Sequence, residues 1–218
     1  MANPWLSIPL CDYEARMGSA EVRQLGALSE LFAEALRRCR PESAAILGIA
    51  GGNGLERIDD SVTRRIIGLD VNASYLDAVR GMFSGLRGLE LHRVDLSQER
   101  VEIAPAELVH AALIFEHART DACLENATRM TAPGGNLSVV LQLRSEAGQP
   151  AVGSGVASMQ NLKSHFSFVD PVELEEMLKA RGFRLTRQTR LGLPGGKAFW
   201  MGIFRSPARL RTEQSEWF

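Results

Sequence analysis

Residues 46–54 read ILGIAGGNG, a short apolar run that breaks into four glycines within seven residues. Glycines at a strand end let the backbone turn tightly, take positive φ and approach a ligand closely beneath a helix N-terminus. The stretch is followed by LERIDDSV, whose apolar spacing predicts a short helix, and by RRIIGLD, a second apolar strand. That order is the opening of an α/β sheet, and in such sheets ligands bind beyond the carboxyl ends of the strands.

Downstream the alternation continues: ASYLDAVRGMF predicts a helix, LELHRVD a strand, ELVHAALIF a strand, ACLENATRM a helix and NLSVVLQL a strand. Strands alternating with helices imply right-handed crossovers and a parallel sheet. Their nearly continuous apolar character fits a sheet covered on both faces. The end of the chain is different. Pro171 opens the predicted helix VELEEMLKARGF, and FRLTRQTRL and KAFWMGIFR then flank GLPGG as an antiparallel pair.

Upstream, Val22, Leu25, Leu28, Leu31, Phe32, Ala35 and Leu36 recur at steps of three and four, which predicts one amphipathic helix over Ser19–Arg38. Before it, Trp5 to Met17 form an apolar but irregular segment broken by Pro4 and Pro9. Between Leu143 and Pro171 lies a long connection rich in Gly, Ser and Ala, of the kind that serves as a lid. These boundaries divide the chain into a cap segment with its helix (1–40), an α/β domain (41–205) with an inserted lid (144–170), and a tail (206–218).

Composition limits the function. The chain has 218 residues, 45% hydrophobic and 23% charged, with a net charge of −1, so no global field draws it onto nucleic acid. Three separated cysteines, Cys11, Cys39 and Cys123, show neither CxxC spacing nor an even count, and argue against a disulfide framework or a zinc site. The N-terminus lacks the pattern of a signal peptide, and no apolar run reaches the roughly 18 residues of a membrane span. The expected location is the cytoplasm.

The glycine turn does not match a dinucleotide fingerprint, because Arg57 stands where a third small residue belongs after Gly52 and Gly54. Sixteen residues beyond Gly54 the next strand ends at Asp70, a carboxylate able to accept both hydroxyls of a ribose. One strand later Asp95 can meet an adenine edge, with Leu96 beside the ring. Asp95 could also cap the turn that follows it, and Asp70 with Asn72 could cap the next helix. Three strand ends thus describe a nucleoside pocket without a device for phosphates.

LGIAGGNG, IIGLDVN, LHRVDLS, ELVHAALIFEHA and APGGNLSVV, in that order, resemble the motif series of class I S-adenosylmethionine-dependent methyltransferases. The resemblance covers Ala44 to Leu143, and the last helix and hairpin extend it to Arg205. It implies a Rossmann-like, mainly parallel seven-stranded sheet with helices on both faces, an N-terminal helical cap, and an antiparallel last strand inserted between the fifth and sixth. The cofactor would be S-adenosyl-L-methionine. Gly48, Ala50, Gly51, Gly52 and Gly54 would lie under its methionine part, Asp70, Val71 and Asn72 at the ribose, Asp95 and Leu96 at the adenine, and Leu113 beside it at the fourth strand end. Gly48 and Ala50 depart from the family pattern, which usually has an acid at the first position and a glycine at the second.

Methyl transfer from a sulfonium needs positioning above all, and a base only when the acceptor must lose a proton. Glu116 and His117 follow the fourth strand, with His117 the candidate base. Tyr13, Met17, Glu116 and His165 are the candidate acceptor-binding residues. No metal-ligand cluster is visible, and the absence of the Asn/Asp-Pro-Pro-aromatic signature disfavours adenine or glutamine amides as acceptors. The expected partner is a small-molecule acceptor, with no nucleic acid and no membrane. Two alternatives stay open: a non-catalytic relative that binds a nucleoside or a protein, and an NAD(P)-dependent oxidoreductase.

Overall fold

The computed structural model describes residues 3–20, 22–118, 120–144 and 165–208. Helices α1 (Leu10–Gly18) and α2 (Gln24–Cys39) precede the sheet strands β1 (Ser43–Leu47), β2 (Arg65–Asp70), β3 (Leu89–Arg93), β4 (Ala106–Ala112) and β5 (Thr131–Gln142). Helices α3 (Ala73–Met82) and α4 (Thr120–Met130) lie in the crossovers, and α5 (Pro171–Ala180) leads to β6 (Arg184–Gly192) and β7 (Ala198–Arg205). The described strands form one seven-stranded sheet in the order β3-β2-β1-β4-β5-β7-β6. Strands β1 to β5 run parallel, while β7 is antiparallel to both β5 and β6 and sits between them. The inserted antiparallel strand is the one the resemblance implied.

Because successive strand side chains point to opposite faces, β1, β2 and β4 each feed two cores. Ala45, Leu47, Ile67 and Val109 pack with Leu124 of α4 and Leu174 of α5. Ala44, Ile46, Ile66 and Leu108 pack on the other face with Phe32 of α2 and Val79 of α3. Helix α2 is therefore a layer of the sheet's own core, and only the chain up to Gly18 stands apart as a cap.

Four predicted elements come out differently. The helix expected over Ser19–Arg38 begins at Gln24, after Arg23 takes a left-handed conformation (φ 49°) that separates it from α1. The irregular segment before it contains α1 itself, entered from Pro9, which fits a helix start because its missing N–H would have had no intrahelical partner. LERIDDSV forms a single 3-10 turn, Leu55–Arg57, instead of a helix. Its side chains explain this: Glu56 folds back onto the Gly54 N–H, and Asp59 turns onto Ser61, so local bonds compete with the helical ladder. Finally, β4 ends at Ala112, and Leu113 to Phe115 form a turn rather than a continuation of the strand. Most of the expected lid, residues 145–164, and the tail beyond residue 208 lie outside the described residues.

Candidate active site

The glycine turn leaves β1 through two left-handed residues, Gly48 (φ 70°) and Ala50 (φ 47°). At Gly48 a Cβ would meet the Ile114 side chain at 3.0 Å, so both the backbone and the neighbouring turn select glycine here. That is why the family's usual acid is absent from position 48. Ala50 holds a conformation that costs a non-glycine residue roughly 1–2 kcal/mol, and its N–H donates to Asp70 Oδ2 at 2.9 Å. Gly51 lets α1 approach closely, since a Cβ there would collide with the Glu14 carboxylate.

Asp70 closes β2 and is buried. Besides Ala50 it accepts the Asn72 N–H on Oδ1 at 2.9 Å. Burial pushes its carboxyl above the ordinary range, and backbone N–H bonds from Asn72, Ala50 and Val71 pull it back. Asn72 caps α3 by accepting the Ser74 N–H at 3.0 Å, and its amide donates to the Trp5 carbonyl at 2.9 Å. Asn72→Ala removes a cap and the tie to the N-terminal segment together, so chemical denaturation should show a loss of about 1–2 kcal/mol.

Asp95 follows β3 and carries the cap as well as the cavity position. Its Oδ1 accepts from Ser97 N–H (3.0 Å) and Oγ (2.6 Å), and its Oδ2 from Asn3 (3.1 Å) and Gln98 (3.0 Å). Burial alone would raise this carboxyl, but the bonds from Ser97, Asn3 and Gln98 outweigh it and leave it below the ordinary value. The Asn3 bond, the Asn72–Trp5 bond and a bond from Tyr75 Oη to the Ile8 carbonyl (2.9 Å) seat the N-terminal segment as a roof across the strand ends.

At the fourth strand end Leu113 is left-handed (φ 56°), with its N–H bonded to the Val140 carbonyl at 2.9 Å. A non-glycine residue held in this region is backbone strain of the kind that gathers at functional sites. The turn it makes brings His117 under the roof, its ring edge-on to Trp5 (5.0 Å) and Phe166 (5.2 Å). His117 Nδ1 is shielded from solvent and has no partner among the described residues. Burial, and secondarily the nearby His165, lower its pKa to about 4.

One cavity of about 140 Å³ joins these pieces, about ten times the roughly 10–15 Å³ that a water requires. Of the predicted residues, Gly48, Ala50, Asp70, Val71, Asp95, Leu96, Leu113, Tyr13, Met17 and His117 lie on its wall. Gly51, Gly52 and Gly54 shape the turn behind the wall, packed against α1, Phe83 and Phe32 respectively. Asn72 is spent on capping. Glu116 is also off the wall: it is buried, with Oε1 accepting the Gln142 N–H at 2.8 Å. His165 is exposed, and its neighbour Phe166 takes the place on the wall. Residues the sequence did not single out complete the wall, notably Trp5, Arg16, Gln24, Gln142 and Lys197. No three His, Cys, Asp or Glu among the described residues converge as a metal site.

No protein-family model and no curated protein sequence matches the chain. Solved structures do match. The N-methyltransferase NodS from Bradyrhizobium japonicum WM9, in complex with S-adenosyl-L-homocysteine, superposes with a TM-score of 0.71 over 94% of this chain and 100% of its own, at 14% identity. The class I methyltransferase fold is shown. Magnesium protoporphyrin IX methyltransferase from Synechocystis PCC 6803, also with bound S-adenosylhomocysteine, gives 0.70 over 94% and 97% at 9% identity. The [4+2]-cyclase SpnF gives 0.67 over 88% and 84% at 14% identity. The class I fold thus accommodates more than one reaction, and the reaction here has to be argued from the site.

Proposed function

We propose that the chain is an S-adenosylmethionine-dependent methyltransferase acting on a small-molecule acceptor. One observation carries this: Asp70 and Asp95, at the ends of neighbouring strands, share a cavity with the glycine turn and with a buried, neutral histidine. The residues fit the cofactor. The two bonds Asp70 accepts leave part of its roughly four acceptor positions for ribose hydroxyls. Val71, Val94 and Leu96 give an apolar slot beside Asp95 for an adenine. The dinucleotide alternative loses support, because a 3-10 turn replaces the helix whose N-terminus would bind pyrophosphate and Glu56 occupies the Gly54 N–H.

Bound there, S-adenosylmethionine supplies a methyl group on a positively charged sulfur, activated for in-line displacement. The chain's part is to orient the acceptor, exclude water and take a proton from an acceptor that carries one. The roof of Trp5 and Tyr13 excludes water. His117 is an imidazole that stays uncharged at neutral pH and so can receive the proton. The transfer rate should accordingly stay level from pH 8 to about 5.5, as steady-state assays can show; an inflection near 6.5 would mark an ordinary exposed imidazole and contradict the role.

The three cysteines are free, and no helix among the described residues is long and apolar enough to cross a membrane; a cytoplasmic location belongs to the proposal. The acceptor class is tested by incubating the protein with methyl-labelled S-adenosylmethionine and separated fractions of a cell extract. Label is expected in low-mass products; label confined to protein or nucleic acid would overturn the small-molecule assignment.

A further inference from the structure

Two cations share the cavity wall at its edge nearest β7: Arg16 from α1 and Lys197, the residue just before β7. Both are half-buried, and among the described residues neither side chain makes a hydrogen bond or an ion pair. This sets them apart, since nine arginines elsewhere have acidic partners. Partly desolvated like charges without a counterion are costly, and a ligand anion removes that cost. Burial and the Arg16 charge together lower the Lys197 pKa, which is what unrelieved proximity does.

The sheet order says which part of a bound ligand they meet. Asp70 and Asp95 belong to the β2 and β3 ends, the glycine turn to β1 and His117 to β4, while Lys197 sits where the Leu143 N–H, leaving β5, bonds Ala198 at 2.9 Å. From β1 through β4 and β5 to β7 is three strand spacings, about 14 Å. A cofactor with its ribose over β2 and its methionine over β1 leaves the β5–β7 edge for the acceptor. Met17, Val22 and Ile114 make the wall apolar nearby, and the Gln24–Gln142 amide pair (3.3 Å) adds a polar strip.

We infer that Arg16 and Lys197 form an anion subsite, and that the methylated acceptor has an apolar body ending in a carboxylate held between them. This rests on the methyltransferase proposal for its orientation. The methionyl carboxylate of the cofactor is the other possible source of the same chemistry, and the experiment separates the two.

Wild type, Lys197→Met, and the double variant Arg16→Gln, Lys197→Met are each saturated with S-adenosylhomocysteine and titrated with benzoate, phenylacetate and hexanoate and with the matching primary amides. Thermal melting checks that the variants fold, and Lys197→Met serves alone if the double variant does not. In wild type at least one carboxylate should bind tenfold or more tightly than its amide. The variants should lose that preference while holding S-adenosylhomocysteine within threefold of wild type. Absence of any carboxylate preference in wild type overturns the inference. So does a tenfold loss of S-adenosylhomocysteine affinity in the variants, which would assign the pair to the cofactor's own carboxylate. If S-adenosylhomocysteine fails to bind wild type, the methyltransferase proposal falls, and the same titrations without it still decide whether the pair selects carboxylates.

Discussion

Asp70→Ala should weaken S-adenosylhomocysteine binding at least a hundredfold and should also lower stability. Bonds from two ribose hydroxyls to a charged acceptor are worth about 1.5–3 kcal/mol each, and losing both exceeds a factor of 100. From the sequence alone, Asp70 reads as a binding residue whose loss leaves stability nearly unchanged. The structure changes that expectation. The carboxylate also accepts the Ala50 and Asn72 N–H groups in a buried position, and alanine strands both, at about 1–3 kcal/mol each. Asp70→Asn separates the roles, because its carbonyl oxygen retains one backbone bond while its amide cannot accept from a hydroxyl. Calorimetry and melting on both variants should show lost affinity in each and the larger stability loss in alanine. Unchanged affinity in both would remove Asp70 from the cofactor site.

The second large effect is a gain. Glu116 is 1% exposed, its Oε1 accepts the Gln142 N–H, and its Oε2 has no partner among the described residues. Burial raises its pKa to about 7 from 4.5, against a smaller lowering by backbone N–H bonds from Gln142 and from its own residue. Between pH 4.5 and 7 the native state keeps a proton that the unfolded chain has released, so this group makes stability fall as pH rises and level off above about 7. The shift corresponds to a penalty on the order of 3 kcal/mol at pH 8. Glu116→Gln keeps the acceptor for the Gln142 N–H and cannot ionise. It should be near wild type at pH 4.5 and more stable by that amount at pH 8.

His110 and His117, each lowered by burial to about 4, push the opposite way, since between pH 6.5 and 4 the unfolded chain binds the protons and stability rises with pH. The difference between variant and wild type, taken by denaturation at pH 4.5 and 8, isolates Glu116. An equal difference at both values would mean that the carboxyl does not titrate as described.

The parts of this site that are local in sequence are the parts a reader of the sequence finds. ILGIAGGNG and IIGLD announce a strand, a turn and an acid at a strand end because each signal lies within a few residues. The alternation of strands and helices then fixes the parallel part of the sheet. What is lost is lost for physical reasons. The apolar spacing of Leu55, Ile58 and Val62 mimics a helix, but Asp59 and Glu56 give the backbone shorter-range bonds that stop it after one turn. Helix α1 is nine residues long and packs through its close approach to Gly51, a contact with no trace in its own pattern.

The acceptor side was hidden for a different reason. Arg16, Gln24, Gln142 and Lys197 come from α1, α2, the end of β5 and the start of β7, and only the folded sheet brings them to one cavity. Asp95 illustrates the middle case. It can be read as a cap or as a pocket residue, and its four bonds together with its place on the wall make it both. Glu116 and His117 are adjacent in the chain, yet the left-handed Leu113 turn leads one into the core and the other onto the wall.

The central claim is that these strand ends hold S-adenosylmethionine. The most direct measurement is a calorimetric titration of S-adenosylhomocysteine into the wild-type protein, with NAD as the comparison. The account predicts one site per chain with a dissociation constant in the micromolar range and no heat from NAD. No heat from S-adenosylhomocysteine at millimolar concentration would contradict it, and would mean that without the family's acid at position 48 the fold persists but does not bind the cofactor.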